Sequence, residues 1–391
     1  MAEWKNWAGN VACTPRSVRA PKDEAEIVET LAEAARQQWA VRVAGSGHSF
    51  VPLVASDGIV LDLSGLSGIA RFETEPARAW VRAGTKLHDL GEPLLERGLA
   101  MQNLGDIDVQ ALGGAIGTGT HGTGPTLQNL SARVSGLRIL CADGSLRVLR
   151  EDTDPDALRA ARVSMGALGV VTAARIDLVP AYRLHERIER LPMDALRPEL
   201  GERIAATRHF EFFWYPGRDL AEAKHLHPTD EPESDLPDRR GERIGWSHRI
   251  LPSVRDDRFL EMEYSVPAAD GPACFDEIRA CIRAHHPQVE WPVEYRTLAA
   301  DDAWLSTAHE RDSVTISVHQ GQGLPHEALF ADAERIFAEY AGRPHWGKMH
   351  TLGAEALGRL YPRFDAFTAL RDEWDPDRRF ANAALERLFG P

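Results

Sequence analysis

Between Asn103 and Gly124 the chain carries glycine at positions 105, 113, 114, 117, 119, 122 and 124. A run so poor in side chains cannot build a core of its own, so main-chain amides and carbonyls must make most of its contacts. A second such segment, Ala44-Gly45-Ser46-Gly47-His48-Ser49, follows an apolar stretch over 39–43 that reads as a strand, and its glycines forbid a regular element. Two loops of this kind suggest a ligand laid along the backbone, with an anion held by consecutive amides. Ordinary turn glycine is the competing reading.

Gly117-Thr118-Gly119-Thr120-His121-Gly122 satisfies GxGxxG literally, and Asp143 lies downstream where an acidic partner belongs. A nicotinamide site, however, needs a strand before the glycines and an amphipathic helix opening on them. Here Asp106 to Gly114 precede the run and Pro125 follows it, which argues against that reading. A GxSxG nucleophile elbow is excluded at Ser46, which has glycine immediately on either side.

A length of 391 residues suggests two or three domains. Pro21 to Gln38 reads as an amphipathic helix, 59–63 and 79–83 as strands, and 86–96 as a helix. Strands follow at 134–140 and 145–149 about a turn at Asp143-Gly144, then at 170–178, and a first domain closes near Pro180. Beyond it come an aromatic strand over 209–216, a charged, proline-punctuated stretch over 224–243 read as an exposed loop, and alternation over 261–266. A helix near 274–284, strands at 293–296 and 314–319 and helices around 355–361 and 363–374 complete the chain. The expected division is 10–180, 181–343 and 344–391.

The formal charge of −14, with 45 basic residues interspersed among 59 acids, speaks against nucleic acid as a partner. The four cysteines lack the spacing of a zinc site or a disulfide framework, so no metal is expected and the thiols read as reduced, in a cytoplasmic protein. Neither a signal peptide nor a transmembrane span is expected from the apolar pattern.

Several residues stand out from this background. His48, between Gly47 and Ser49 at a strand end, has no apolar helical face to occupy. Val314, Ile316 and Val318 share one face of a strand and leave Thr315, Ser317 and His319 on the other. Glu294 and Arg296 also share a face, where they could bracket a polyhydroxylated ligand, although spacing alone favours a structural ion pair. Pro344 and Gly347 define a turn presenting His345 and Lys348, and by composition Lys348 is a surface lysine.

Four blocks together change these readings: Gly45-Ser46-Gly47-His48-Ser49, Gly117 to Gly124, Gly166-Ala167-Leu168-Gly169-Val170, and His345-Trp346-Gly347-Lys348. With Glu294-Tyr295-Arg296 and the 304–319 segment, they make the chain resemble the vanillyl-alcohol-oxidase type flavoproteins. The resemblance is to the aldonolactone oxidoreductase and alditol oxidase branch, which includes L-gulono-1,4-lactone and D-arabinono-1,4-lactone oxidases. It implies an α+β architecture: a two-subdomain FAD-binding domain of the PCMH type, a cap domain with a mainly antiparallel sheet flanked by helices, and a C-terminal segment returning to the flavin. It also implies FAD contacts at Ala44, Gly45, Ser46, Gly47, His48, Ser49, Gly114, Gly117, Thr118, His121, Gly122, Gly169, Val170 and His345, with His48 as a covalent tether. Lys348 would hold the reacting oxygen, Glu294 and Arg296 would orient hydroxyls, and Asp106, Ser317 and His319 would touch substrate. The implied reaction moves a hydride from a CH–OH carbon of an aldono-1,4-lactone, or alternatively of an alditol, to flavin. The electrons then pass to O2, an electron-accepting protein or a quinone. Asp106 departs from alditol oxidases, which carry a small polar residue there.

Overall fold

The computed structural model describes residues 3–234, 241–255 and 257–391. Helix Glu24–Gln37 opens where expected, with the Asp23 side chain accepting from the Glu26 amide at 3.0 Å. Its buried stripe of Ile27, Leu31 and Ala34 packs on a parallel sheet of Ser17–Arg19, Ile59–Asp62 and Val41–Ala44, with Ile59–Asp62 central. A five-stranded antiparallel sheet follows, in the order Leu146–Arg150, Val134–Leu140, Val170–Asp177, Ala77–Arg82 and Ile69–Thr74.

The glycine-rich run is not wholly irregular. Leu112–Thr118 forms a short helix, ended by Gly119 in the left-handed region at φ 76°. Leu112, Ala115 and Ile116 supply its buried side, a pattern too brief to register as periodicity. The GxGxxG glycines therefore close a helix instead of opening one, the reverse of a nicotinamide-binding turn.

The cap is an eight-stranded antiparallel sheet in the order Glu242–Trp246, Arg183–Pro192, Leu220–Thr229, His209–Tyr215, Val293–Leu298, Ser313–Gly321, Phe259–Pro267 and Arg343–Pro344. Helices Met193–Ala206, Gly271–His285 and Glu327–Glu339 cover one face, burying Phe210, Phe212, Trp214, Tyr295, Ile316 and Met262 with their own apolar residues. Alternation sends Glu211, Glu261, Glu263, Glu294, Arg296 and Ser317 to the other face.

The expected loop over 224–243 is corrected, because its first residues complete strand Leu220–Thr229 and Arg243 lies in strand Glu242–Trp246. Charge was the misleading signal: Ala221 and Ala223 face the core while Lys224 reaches Glu211 across the sheet at 3.0 Å. Residues 235–240 of that stretch lie outside the described residues.

After Arg343–Pro344 the chain crosses back. Trp346 is fully buried, donates from Nε1 to the Leu305 carbonyl at 2.6 Å, and shares a core with Leu112, Ile139 and Leu168 of the first half. Helices Ala354–Leu360, Phe364–Trp374 and Ala383–Phe389 continue that core, the last of them unanticipated. No described helix is long and apolar enough to cross a membrane.

Candidate active site

A groove runs between the two glycine segments, lined by Ala44, Gly45, Ser46, Gly47, Gly114, Gly117, Thr118 and Gly169. Its glycines serve different ends. A Cβ on Gly114 would meet nothing within 4 Å, and one on Gly117 only the Met165 amide at 3.9 Å, so these two positions are held open toward the groove. Gly169, at φ 144°, could not carry a Cβ, which would lie 2.5 Å from the Leu140 carbonyl. Gly122 is likewise constrained, by the Leu104 carbonyl at 2.1 Å, and lines neither groove nor cavity. The Val170 side chain also departs from expectation: it is buried in the core with Leu61 and Leu140, and Val171 lines the groove in its place. Lys86, unanticipated, reaches into the groove and donates to Ser46 Oγ at 2.7 Å.

At Ser49 the groove opens into a cavity of about 1060 Å³, the upper end of the range for small-ligand sites. His48 lines both spaces. Its ring stacks on Trp7, with centroids 5.4 Å apart and planes at 17°, and Nδ1 donates to the Ser46 carbonyl at 3.0 Å. Burial lowers the His48 pKa, which keeps the imidazole neutral with a lone pair on its other nitrogen.

The polar face of the cap sheet forms the cavity's opposite wall. Arg296 is buried and its Nη2 lies 2.7 Å from Glu263 and 3.3 Å from Glu294. Glu263 also accepts from Ser317 at 2.8 Å and contacts His121 Nε2 at 2.8 Å. Burial alone would raise Glu263, but His121 and Arg296 outweigh it and hold the carboxylate ionised, well below its usual range. Ser317 is spent on this contact and does not line the cavity, so its expected substrate contact is replaced by a supporting one.

Glu294 behaves differently. Burial raises its pKa well above the usual carboxylate range, and although Arg296 opposes this, Asp106 and Glu211 reinforce it. Oxygens of these three acids lie within 4.8 Å of one another, so one proton is shared most cheaply by the member buried deepest among the other charges. Glu294 Oε1 has no hydrogen-bond partner. Asp106 is pushed up by burial, but Arg255, Lys224 and Arg296 outweigh that and hold it at about 2. Its carboxylate is bound by Arg255, and its carbonyl accepts from the Ser253 amide at 2.9 Å, so Asp106 ties the first half to the cap instead of standing free for a ligand.

Lys348 is not a surface lysine. Its ammonium pairs with buried Glu261 and sits 5.1 Å from the Phe50 ring centroid. Burial would raise Glu261, yet the Lys348 ammonium outweighs it and keeps it below its usual value. His319 donates from Nδ1 to the Pro292 carbonyl at 2.8 Å, leaving Nε2, 3.7 Å from Glu261, with its lone pair, and burial lowers its pKa. His345 is buried to a pKa of about 3 and accepts from the Gly347 amide at Nδ1, 3.0 Å away. Trp7, Phe50, Phe213, Phe259 and Trp291 supply an apolar wall.

Glu261 and Glu263 were within reach of sequence reasoning, because alternation over 261–266 places both on the face opposite Met262 and Tyr264. Arg255 lies in a coil with no periodic signal, and Glu211 and Lys224 were hidden inside an aromatic strand and a misread loop.

The sequence matches the FAD binding domain family over residues 15–150 and the D-arabinono-1,4-lactone oxidase family over 174–244 and 238–388. This chain belongs to the D-arabinono-1,4-lactone oxidase family. Curated relatives of this family member include the L-gulono-1,4-lactone dehydrogenase of Mycobacterium tuberculosis, 36% identical over 99% of both chains. They also include the alditol oxidase of a Streptomyces species, 30% identical over 98% of both, and the L-gulonolactone oxidase of Bos taurus, 28% identical over 99% of this chain and 98% of the other. The fold is that of cholesterol oxidase from B. sterolicum, with a TM-score of 0.87 at 16% identity over 99% of this chain and 96% of that one. The D-arabinono-1,4-lactone oxidase family member is therefore an FAD-dependent oxidoreductase acting on CH–OH groups. The groove fits the cofactor on its own geometry: Gly114 and Gly117 leave space that any side chain would fill.

Proposed function

We propose that this enzyme oxidises a carbinol carbon of an aldono-1,4-lactone of the L-gulono or D-arabinono type. The observation that carries the reading is the meeting, at His48, of the glycine-lined groove with a cavity walled by paired charges. When bound, FAD supplies the hydride acceptor, and the rest falls to side chains. Lys348 holds the reacting oxygen and stabilises the negative charge that develops on it as hydride leaves. Its pairing with Glu261 makes it a fixed cation, so the hydroxyl proton goes instead to His319 Nε2, whose lone pair is oriented by the Nδ1 contact to Pro292. Arg296, clamped by Glu263 and Glu294, orients substrate oxygens, and the aromatic wall excludes water.

The lactone is preferred to a linear alditol on the relatives, since the L-gulono-1,4-lactone dehydrogenase is 36% identical over 99% of both chains and the alditol oxidase 30% over 98% of both. The alditol reading keeps support from the Streptomyces relative. Anaerobic bleaching of the flavin against lactones and alditols, followed by admission of air, tests both substrate and acceptor. Bleaching by lactones in preference to alditols is expected, and bleaching by xylitol or sorbitol alone would overturn it. Rapid recovery in air identifies O2 as acceptor; recovery only with a quinone or redox protein identifies those.

His48 is the proposed covalent tether, supported by its neutral ring at the junction of groove and cavity. Acid-precipitated protein should keep its yellow colour, and release of all FAD would reject the bond. A cytoplasmic site of action is proposed on the four unpaired cysteines.

A further inference from the structure

The N-terminal residues move no proton or hydride in the chemistry above, where Trp7 only adds to the apolar wall, yet they are attached to the site in detail. Trp4–Lys5 pairs antiparallel with Ala12–Cys13, and the turn between them lies over the His48 loop. Trp7 donates its amide to the Gly47 carbonyl at 2.7 Å, Asn6 Nδ2 to the Ser49 carbonyl at 3.0 Å, and Asn10 Nδ2 to the Phe50 carbonyl at 2.8 Å. Three carbonyls about His48 are thus held by one hairpin. The hairpin is itself fixed: Asn6 Oδ1 accepts from the Val11 amide at 3.0 Å, and Gln322, from the cap, donates to the Ala8 carbonyl at 2.6 Å. Gly47 needs its positive φ of 66° to turn beneath Trp4, which a Cβ would approach to 3.4 Å.

The Trp7 indole closes the arrangement. It lies nearly parallel to His48 and is held edge-on by Phe259 at 5.4 Å and Phe50 at 6.4 Å. The hydrogen bond from Nδ1 to the Ser46 carbonyl anchors one edge of the imidazole and the stacked indole fixes the tilt of its plane, so that the remaining ring nitrogen is aimed in one direction, as bonding to a fixed electrophilic carbon requires.

We propose that hairpin 4–13 is a positioning device for the flavin tether, with Trp7 fixing the His48 ring in the orientation from which the bond to FAD forms. The proposal rests on the covalent reading above. Tethering exchanges one C–H of the flavin 8α-methyl group and the imidazole N–H for a C–N bond. The two electrons and two protons released reduce the flavin itself and leave through the acceptor used in turnover. Trp7 enters none of these bonds.

The test is the ratio of acid-stable to total bound FAD, followed over time after FAD is added to apoprotein, in wild type, Trp7→Ala, Trp7→Leu, Trp7→Phe and His48→Ala. The expected result is that W7A and W7L bind as much FAD as wild type but tether it about tenfold more slowly, from loss of ring orientation. W7F, which retains a stacking ring, should recover most of the rate. W7L preserves apolar bulk, so it answers the question even if W7A folds poorly. Tethering at the wild-type rate in W7L overturns the positioning role. Wild-type protein that binds FAD but never tethers it fails the covalent reading first and removes the proposal with it, whereas loss confined to H48A leaves the tether standing and rejects Trp7.

Discussion

In the groove of the FAD-binding half, side chains are missing where the ligand must lie. Gly114 and Gly117 face open space, and Gly169 presses against the Leu140 carbonyl. On the polar face of the cap sheet and the segments that close against it, side chains are crowded and charges are paired: Arg296 with Glu263, Lys348 with Glu261, Asp106 with Arg255. One region binds by shape and main-chain amides, the other by a network in which burial and pairing set each protonation state. The contrast teaches that the two halves should fail separately, since a cofactor-binding defect and a chemical defect arise from different residues.

The largest effect expected is at Gly114→Leu. The position is helical and its Cβ is unopposed, so the fold should persist, and leucine even favours the helix. The side chain fills the groove, and purified protein should be nearly colourless with an unchanged circular dichroism spectrum. A yellow G114L protein would break the comparison on its cofactor side. Lys348→Ala inverts the result: flavin content stays at the wild-type level while anaerobic reduction by substrate slows about 100- to 1000-fold, the scale for losing a group that stabilises transition-state charge.

His319→Asn sharpens the same side through pH. Burial places the His319 pKa below its ordinary value, and the neutral ring is the form that accepts the proton. Flavin reduction in wild type should therefore be level at neutral and alkaline pH and fall as pH drops through that lowered pKa. H319N should lose this acid limb and lie about 100-fold below the wild-type plateau. An acid limb that survives the substitution would assign it to another group. The smallest effect is expected at Arg255→Ala, which frees Asp106 without touching the reacting atoms. KM should rise by about tenfold with kcat nearly unchanged, as when binding common to ground and transition states is lost. A fall in kcat alone would make Arg255 part of the chemistry.

The two regions were also unequally legible. The glycines marked the groove only in part, since Gly114 and Gly117 open onto it while Gly119 ends a helix and Gly122 packs against the Leu104 carbonyl, whereas the strand alternation at 314–319 correctly separated Val314, Ile316 and Val318 from Thr315, Ser317 and His319. What sequence could not give was the pairing. Glu261 and Lys348 are brought together by the return of the chain across the cap edge, and Asp106 meets Arg255 only because two domains close on each other. The helix Leu112–Thr118 was obscured by the glycines that define the groove, and the strand Leu220–Thr229 by charges neutralised across the sheet. Ser317 was placed on the right face but assigned to the wrong partner, since Glu263 was not recognised as its neighbour.

The cap face is proposed to set a carbinol C–H of a sugar lactone against the flavin for hydride transfer. The direct measurement is the anaerobic rate of flavin bleaching by L-gulono-1,4-lactone, compared with the same lactone deuterated at its non-exchangeable carbon positions. Bleaching should be severalfold slower with the deuterated lactone, reporting C–H cleavage in the reductive step. Equal rates at saturating substrate in wild type and in K348A, where chemistry is slowed further, would contradict it.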